Sequence, residues 1–264
     1  MKKLFLLLVV PAISGTFLAC TENAAVLNDE IILSRSGELV EYLNITYNGK
    51  TYQNIPTSYD ENGDFIFLDD EFSAIYSYEL ANDSDWSISA QDSQNITFYP
   101  NLKSNLDANG IEIDENIESI EAILRESHAR IGYNDLAEVT LFDDKNYEDR
   151  NYSFQLNDSI IATEVANLKN NPWSFNDKCS SLIITNNMPN DPNKTFQLGY
   201  FEYNCSDIEA VFIGYDDRNF SDRTITCTAA PATVKKYWSL PGFNDKLSSF
   251  KFFFTQKGQY HSSF

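Results

Sequence analysis

From Val139 onward the chain alternates short apolar runs with clusters of Asn, Asp, Ser, Gly and Pro, the texture of strands separated by turns. Upstream, Asn44 to Tyr47, then Asn48-Gly49, then Lys50 to Ile55 predicts strand, tight turn, strand, because Asn-Gly accepts the positive φ angles of a two-residue hairpin. Asp60 to Asp64 predicts a second turn and Phe65 to Leu68 a third strand. A short helix is expected over Asp70 to Leu80 and a strand over Gln94 to Tyr99. Ile111 to Arg130 places Ile117, Ile120, Ile123 and Leu124 on one helical face. Residues 41–134 therefore read as a small α+β domain of unknown family. Its acidic run (Asp60, Glu61, Asp64, Asp69, Asp70, Glu71) lacks the alternating oxygens and closing Glu of an EF-hand, and turn chemistry with solvated charge explains it better.

An internal repeat is the most informative feature of the second half. Phe142-Asp-Asp-Lys-Asn-Tyr147-Glu-Asp149-Arg150 recurs as Tyr215-Asp-Asp-Arg-Asn-Phe220-Ser-Asp222-Arg223, an offset of 73 residues from 142 to 215. Phe175-Asn-Asp-Lys-Cys-Ser-Ser181 recurs as Phe243-Asn-Asp-Lys-Leu-Ser-Ser249, an offset of 68 from 175 to 243. Two different motifs recurring in one order at nearly one distance make chance a poor explanation.

These residues resemble the βγ-crystallin superfamily. Its Greek-key signature is an aromatic, four residues, an aromatic, one residue, then Gly. Its microbial calcium signature is Asn/Asp-Asn/Asp-x-x-Ser/Thr-Ser. Both copies carry both signatures, over about residues 138–255. The resemblance implies a mainly β fold, with a C-terminal double Greek-key sandwich preceded by the small α+β domain and followed by a 256–264 tail. It also implies Ca²⁺ as the cofactor, held where one motif's arch lies beside the other's serine, so that two motifs make two sites. By that resemblance Asp177 and Asp245 are the acidic ligands, Lys178 and Lys246 give backbone carbonyls with their amines turned away, and Ser180 and Ser248 supply hydroxyls. Asn176 and Asn244 hold the arches by local hydrogen bonds, Ser181 and Ser249 open the following strands, and Phe175 and Phe243 enter the core. Phe142, Tyr147, Tyr215 and Phe220 pack the hairpin corners. The competing reading is that these are only turn sequences entering a strand. Two departures stand out. Asp149 and Asp222 occupy the signature glycine, and Asp accepts the left-handed region better than most residues. An insertion between Ile184 and Val211 offers Gln197 to Tyr203 as an extra strand, and bears on whether the keys pair in the standard way.

The leader sets the compartment. Lys2 and Lys3 precede a short apolar stretch, Leu4 to Val10, and Thr16-Phe17-Leu18-Ala19-Cys20 resembles a bacterial lipobox, with Phe17 where Leu is usual. Residues 1–20 are read as a lipoprotein signal peptide, Cys20 as the lipidation site and membrane anchor, and 21–40 as a tether; an ordinary secretion signal is the alternative. Either places the protein in the cell envelope, on a lipid anchor, or else secreted or periplasmic. With Cys20 modified, Cys179, Cys205 and Cys227 allow at most one internal bridge. A formal charge of −20 repels duplexes and anionic membrane surfaces, which excludes nucleic acid and makes cations the natural small partners, although acidity alone also serves solubility. No protein or carbohydrate partner is legible. Two histidines, His128 and His261, and no His-Glu-x-x-His, Gly-x-Ser-x-Gly or phosphate-binding loop argue against an enzyme. The reading is a calcium-binding module with a structural or binding role. The alternative is a secreted-proteinase inhibitor on the same fold, with the insertion as its reactive loop.

Overall fold

The computed structural model of the chain describes residues 32–33, 39–60, 64–81, 86–111, 136–170, 173–198 and 201–257. The leader with Cys20, most of the expected helix at 111–130, His128 and His261 lie outside the described residues. The strands are β1 (Ile32–Leu33), β2 (Leu39–Tyr47), β3 (Lys50–Tyr59), β4 (Phe65–Phe67), β5 (Ser87–Ala90), β6 (Asn95–Tyr99), β7 (Ala137–Phe142), β8 (Asn151–Leu156) and β9 (Ala162–Val165). They continue with β10 (Ser181–Asn186), β11 (Thr195–Leu198), β12 (Phe201–Asn204), β13 (Ile208–Tyr215), β14 (Thr224–Ala229), β15 (Thr233–Tyr237) and β16 (Ser249–Gln256). Helix α1 (Asp70–Ile75) runs on into one π-helical turn, and α2 is Leu102–Asn109. Among the described residues no helix is long and apolar enough to cross a membrane.

The fold is mainly β, as expected, and its C-terminal part is a double Greek key. One sheet has the order β15-β10-β7-β8, and part of the larger sheet has the order β14-β13-β16-β9. In the first copy β7 and β8 form a hairpin and β10 returns beside β7, while β9 crosses to the other sheet. In the second copy β13, β14 and β16 repeat this pattern and β15 crosses back. Each copy thus lends its third strand to its twin's sheet, which locks the two keys together. The registers match as well: Ser181 faces Phe142 and Ser249 faces Tyr215.

Alternation explains the sandwich core. Ala137, Val139 and Leu141 of β7 point inward against Leu182 and Ile184, and Phe212 stacks on Phe250 at 5.4 Å. Phe175 and Phe243 are wholly buried, each a side chain whose burial stabilises by about 1.5–3 kcal/mol. Strand β13 departs from alternation, since every residue of it is buried. Its second face (Val211, Ile213, Tyr215) packs against Leu106 and Ile111 from the first half of the chain. Helix α2 supplies Leu106; Asn101 caps it by accepting from the Ser104 amide, and Gly110 ends it at φ 66°.

The first half is more strand-rich than its sequence suggests. The hairpin turn at Asn48-Gly49 has φ 49° and 75°, and α1 begins where the Asp69 side chain accepts from the Phe72 amide at 2.8 Å. Strand β5 pairs parallel with β14, from Ser87 opposite Thr224 to Ala90 opposite Cys227. The sheet therefore runs β4-β3-β2-β6-β5-β14-β13-β16-β9, straight across the boundary expected near 134–138. Within the stretch expected to be a tether, β1 pairs with β2. Buried Asn105 on α2 donates to Ser87 at 2.7 Å, and Ser87 also accepts from Thr224 at 2.6 Å, so polar groups at the seam are satisfied. Among the described residues, the part of the insertion between β10 and β13 adds no strand to either main sheet. Instead β11 and β12 make a separate hairpin, with Phe196 docked on Phe254 at 5.6 Å, and the pairing of the keys is undisturbed.

Candidate metal centre

Each copy folds its opening segment into a corner with three left-handed residues. In the first these are Asn146, Tyr147 and Asp149 (φ 58°, 65°, 60°), and in the second Asn219, Phe220 and Asp222 (φ 59°, 60°, 68°). The aspartates at the glycine position thus adopt the conformation the corner demands. The aromatic pairs sit edge to face, Phe142 with Tyr147 at 5.7 Å and Tyr215 with Phe220 at 5.6 Å. Ser181 Oγ donates to the Asp144 carbonyl at 2.6 Å and accepts from the Tyr147 amide at 3.1 Å. Ser249 Oγ makes the same two bonds in the second copy, to Asp217 at 2.7 Å and from Phe220 at 3.1 Å. The last serine of each motif is thus the bolt of its own corner, a role beyond opening a strand.

The corners set the arches, and the arches are cross-linked. Ser248 Oγ donates to Asp177 Oδ1 at 2.9 Å, and Ser180 Oγ donates to Asp245 Oδ1 at 2.7 Å. The Asp177 amide donates to the Leu247 carbonyl and the Asp245 amide to the Cys179 carbonyl, each at 3.1 Å. Asp177 and Asp245 both sit in the left-handed region, at φ 54° and 57°, and both are exposed. Each carboxylate therefore meets the hydroxyl of the opposite motif. Lys169, Ser174, Asn176 and Asp177 line a surface depression beside the first arch.

The asparagines make local hydrogen bonds of the kind expected, and each also carries a buried oxygen without a partner. Asn176 donates to the Asp177 carboxylate and Asn244 to Asp245 Oδ2 at 3.4 Å, but Oδ1 of each is buried without a partner in the structure. A buried amide oxygen that accepts nothing costs about 1–3 kcal/mol, so this pair of orphans, repeated in both copies, calls for a donor or a cation. Among the described residues no three His, Cys, Asp or Glu side chains group to hold a metal. What each arch offers is one carboxylate with neutral hydroxyl, amide and carbonyl oxygens. That donor set has no soft or nitrogen ligand and suits a hard cation with flexible coordination.

The two lysines part company. Lys178 is exposed, whereas Lys246 is buried and donates to Asp64 Oδ1 at 2.6 Å. Asp64 Oδ1 also accepts from Arg223 Nη1 at 2.7 Å, and Arg223 reaches Asp216 through Nε at 2.9 Å and through Nη2. Burial pushes the Asp64 carboxyl up, but the bonds from Lys246 and Arg223 outweigh it and hold its pKa below the ordinary carboxylate value. Asp216 has the opposite balance, since its deeper burial raises its pKa despite the guanidinium. Sequence reasoning missed Asp64, although the Asp-to-Arg spacing of both copies was visible in the repeat. Cys179, Cys205 and Cys227 are free thiols and all buried.

The chain matches no protein-family model and no curated protein. Among solved structures it is similar to a βγ-crystallin from Ciona intestinalis (20% identity, 43% of this chain and 95% of that one, TM-score 0.25). It is similar also to a βγ-crystallin from an archaeon (16% identity, 47% of this chain and 100% of that one, TM-score 0.25). A third structure, described as "Evolution of the eye lens beta-gamma-crystallin domain fold", is 15% identical over 49% of this chain and 96% of that one, with TM-score 0.27. The strand exchange defines the class of this molecule: a mainly β protein built on a double Greek key with two reciprocal arches.

Proposed function

We propose that the protein is a calcium-binding module with two sites, Asp177 with Ser248 and Asp245 with Ser180. The reading rests on one observation: two arches, equivalent in sequence, exchange a carboxylate–hydroxyl bond in both directions while burying an unpartnered Asn oxygen each. Asp177 and Asp245 supply the charge, Ser180 and Ser248 the hydroxyls, Asn176 and Asn244 amide oxygens, and Lys178 and Lys246 their carbonyls. Bound Ca²⁺ would neutralise the exposed carboxylates and tie the copies together. The module serves binding or structure rather than catalysis, and the protein is exported and lipid-anchored at Cys20 in the cell envelope. Cys20→Ser is expected to release it from the membrane fraction.

The test uses the full chain. A cation bound only by the folded state stabilises it by RT ln(1 + [Ca]/Kd), about 2.7 kcal/mol per site at a hundredfold excess over Kd. Tm is expected to rise with calcium in the wild type and to ignore calcium in the Asp177→Ala/Asp245→Ala double variant. Equal responses in the two proteins would remove these arches from the reading.

A further inference from the structure

The two arches are alike in sequence but not in surroundings. Around the second, four side chains of alternating charge form an unbroken chain: Lys246, Asp64, Arg223, Asp216. The Arg223 guanidinium also lies over the Trp86 ring, 5.2 Å from its centre. Only 9% of the Lys246 side chain and 17% of the Arg223 side chain reach solvent. Among the described residues the first copy has no such chain. Among the described residues the Arg150 side chain hydrogen-bonds only Asp143, at 3.2 Å, and its Nε is unpartnered; it too lies over a ring, that of Phe175 at 5.3 Å, but Lys178 is exposed and joins no chain of charges. What makes the difference is Asp64, which lies 182 residues from Lys246 and outside the repeat.

Lys246 directly follows the ligand Asp245, so fixing its side chain fixes the arch that presents that carboxylate. Pairing with Asp64 also neutralises an ammonium that would otherwise compete with a cation for the same carboxylate. Less ordering remains to be done when the ion arrives, which is the gain of preorganisation. We infer that Asp64 is a positioning residue for the second arch, and that the two ion sites are therefore unequal, with the Asp245–Ser180 site the tighter. This rests on the calcium reading above.

The experiment has a metal-free arm and a calcium arm, both on the full chain. Without calcium, amide hydrogen exchange is followed at Lys246, whose amide bonds the Phe243 carbonyl at 3.3 Å, and at Phe175 of the first motif, whose amide bonds the Leu168 carbonyl at 2.7 Å. Asp64→Asn and Lys246→Met are each expected to speed exchange at Lys246 about tenfold and to leave Phe175 within about threefold. Lys178→Met is expected to change neither. If Asp64→Asn does not fold, Lys246→Met, which keeps the apolar stem, carries the arm. Equal responses at the two amides, or equal effects of the two lysine substitutions, overturn the positioning role.

In the calcium arm each site is isolated in turn by Asp177→Ala or Asp245→Ala. Asp64→Asn is expected to weaken calcium about tenfold where only the Asp245–Ser180 site remains, and less than threefold where only Asp177–Ser248 remains. Equal weakening refutes the inequality of the sites. If the unsubstituted protein takes up no calcium, the ion reading fails and the inequality with it, while the exchange contrast still decides whether Asp64 holds the arch.

Discussion

Ser181→Ala removes one oxygen and nothing else of consequence, yet two bonds depend on it. The hydroxyl holds the Asp144 carbonyl and the Tyr147 amide, and so pins a corner with three residues at positive φ. Each bond is worth about 0.5–1.5 kcal/mol net. The corner is half-exposed, so water partly replaces the lost partner at the Tyr147 amide, and the expected loss is about 2 kcal/mol. For a domain of this size that lowers Tm by about 4–8 °C. Ser249→Ala breaks the matching bonds to Asp217 and Phe220, which are within 0.1 Å of the first pair in length, and is expected to cost the same. Ser159, exposed and bonded through its hydroxyl to Asp158, is the control, with a cost of at most about 0.5 kcal/mol. The assay is urea unfolding followed by tryptophan fluorescence in the presence of a chelator, which keeps ion linkage out of the comparison. A loss below about 0.5 kcal/mol for either serine, or a gap above about 1.5 kcal/mol between the twins, would refute the claim that these hydroxyls bolt the corners.

Other consequences are equally open to measurement. Gly242 has φ 70° and lies against the Phe65 ring, so Gly242→Ala combines left-handed strain with overpacking and is expected to cost about 2–4 kcal/mol in urea unfolding. Asp64 is held below its ordinary value in the folded protein, so its contribution is full above about pH 3.8 and is lost as pH falls through the folded pKa. Asp64→Asn is therefore expected to flatten the loss of stability with acid below about pH 4, and an unchanged slope counts against the bonds from Lys246 and Arg223 to Asp64. Burial pushes the Cys179 and Cys227 thiols well above their ordinary range, so neither should react with a thiol reagent at pH 8 until the chain is unfolded; mass spectrometry of the labelled protein reads this directly.

The arches were legible because their chemistry is local. Six consecutive residues carry the carboxylate, amide and hydroxyls, and a second copy made the pattern hard to miss. Their cross-bonding followed from the family resemblance rather than from the residues, since Ser180 and Asp245 are 65 positions apart. The corners were legible in part: the aromatics and aspartates were visible, but the bolting serines looked only like strand starts. The seam between β5 and β14 left no mark. Ser87-Ile-Ser-Ala90 is buried on both faces, so alternation gives no signal there, and parallel pairing has no turn to announce it. Asp64 sits in an acidic turn whose bland reading, solvated charge, was the natural one; two cationic partners brought near by the fold make it otherwise. The run Gln197 to Tyr203 suggests one strand, whereas it holds the end of β11, at Leu198, and the start of β12, at Phe201, which pair with each other.

That seam bears on how the molecule comes into being. The edge of β5 that meets β14 waits for residues 224–227, and Ser87 is 137 positions from the Thr224 it bonds. A pairing so distant in sequence is expected to slow folding, and until it forms the open edge of β5 is available to wrong partners. Nor does the second half stand complete, because without α2 the outer face of β13, with Val211, Ile213 and Tyr215, faces water. The two halves therefore each hold part of the larger sheet and complete it together. Cut between residues 111 and 136, they are expected to reassociate as a non-covalent pair, each supplying the surface on which the other finishes folding.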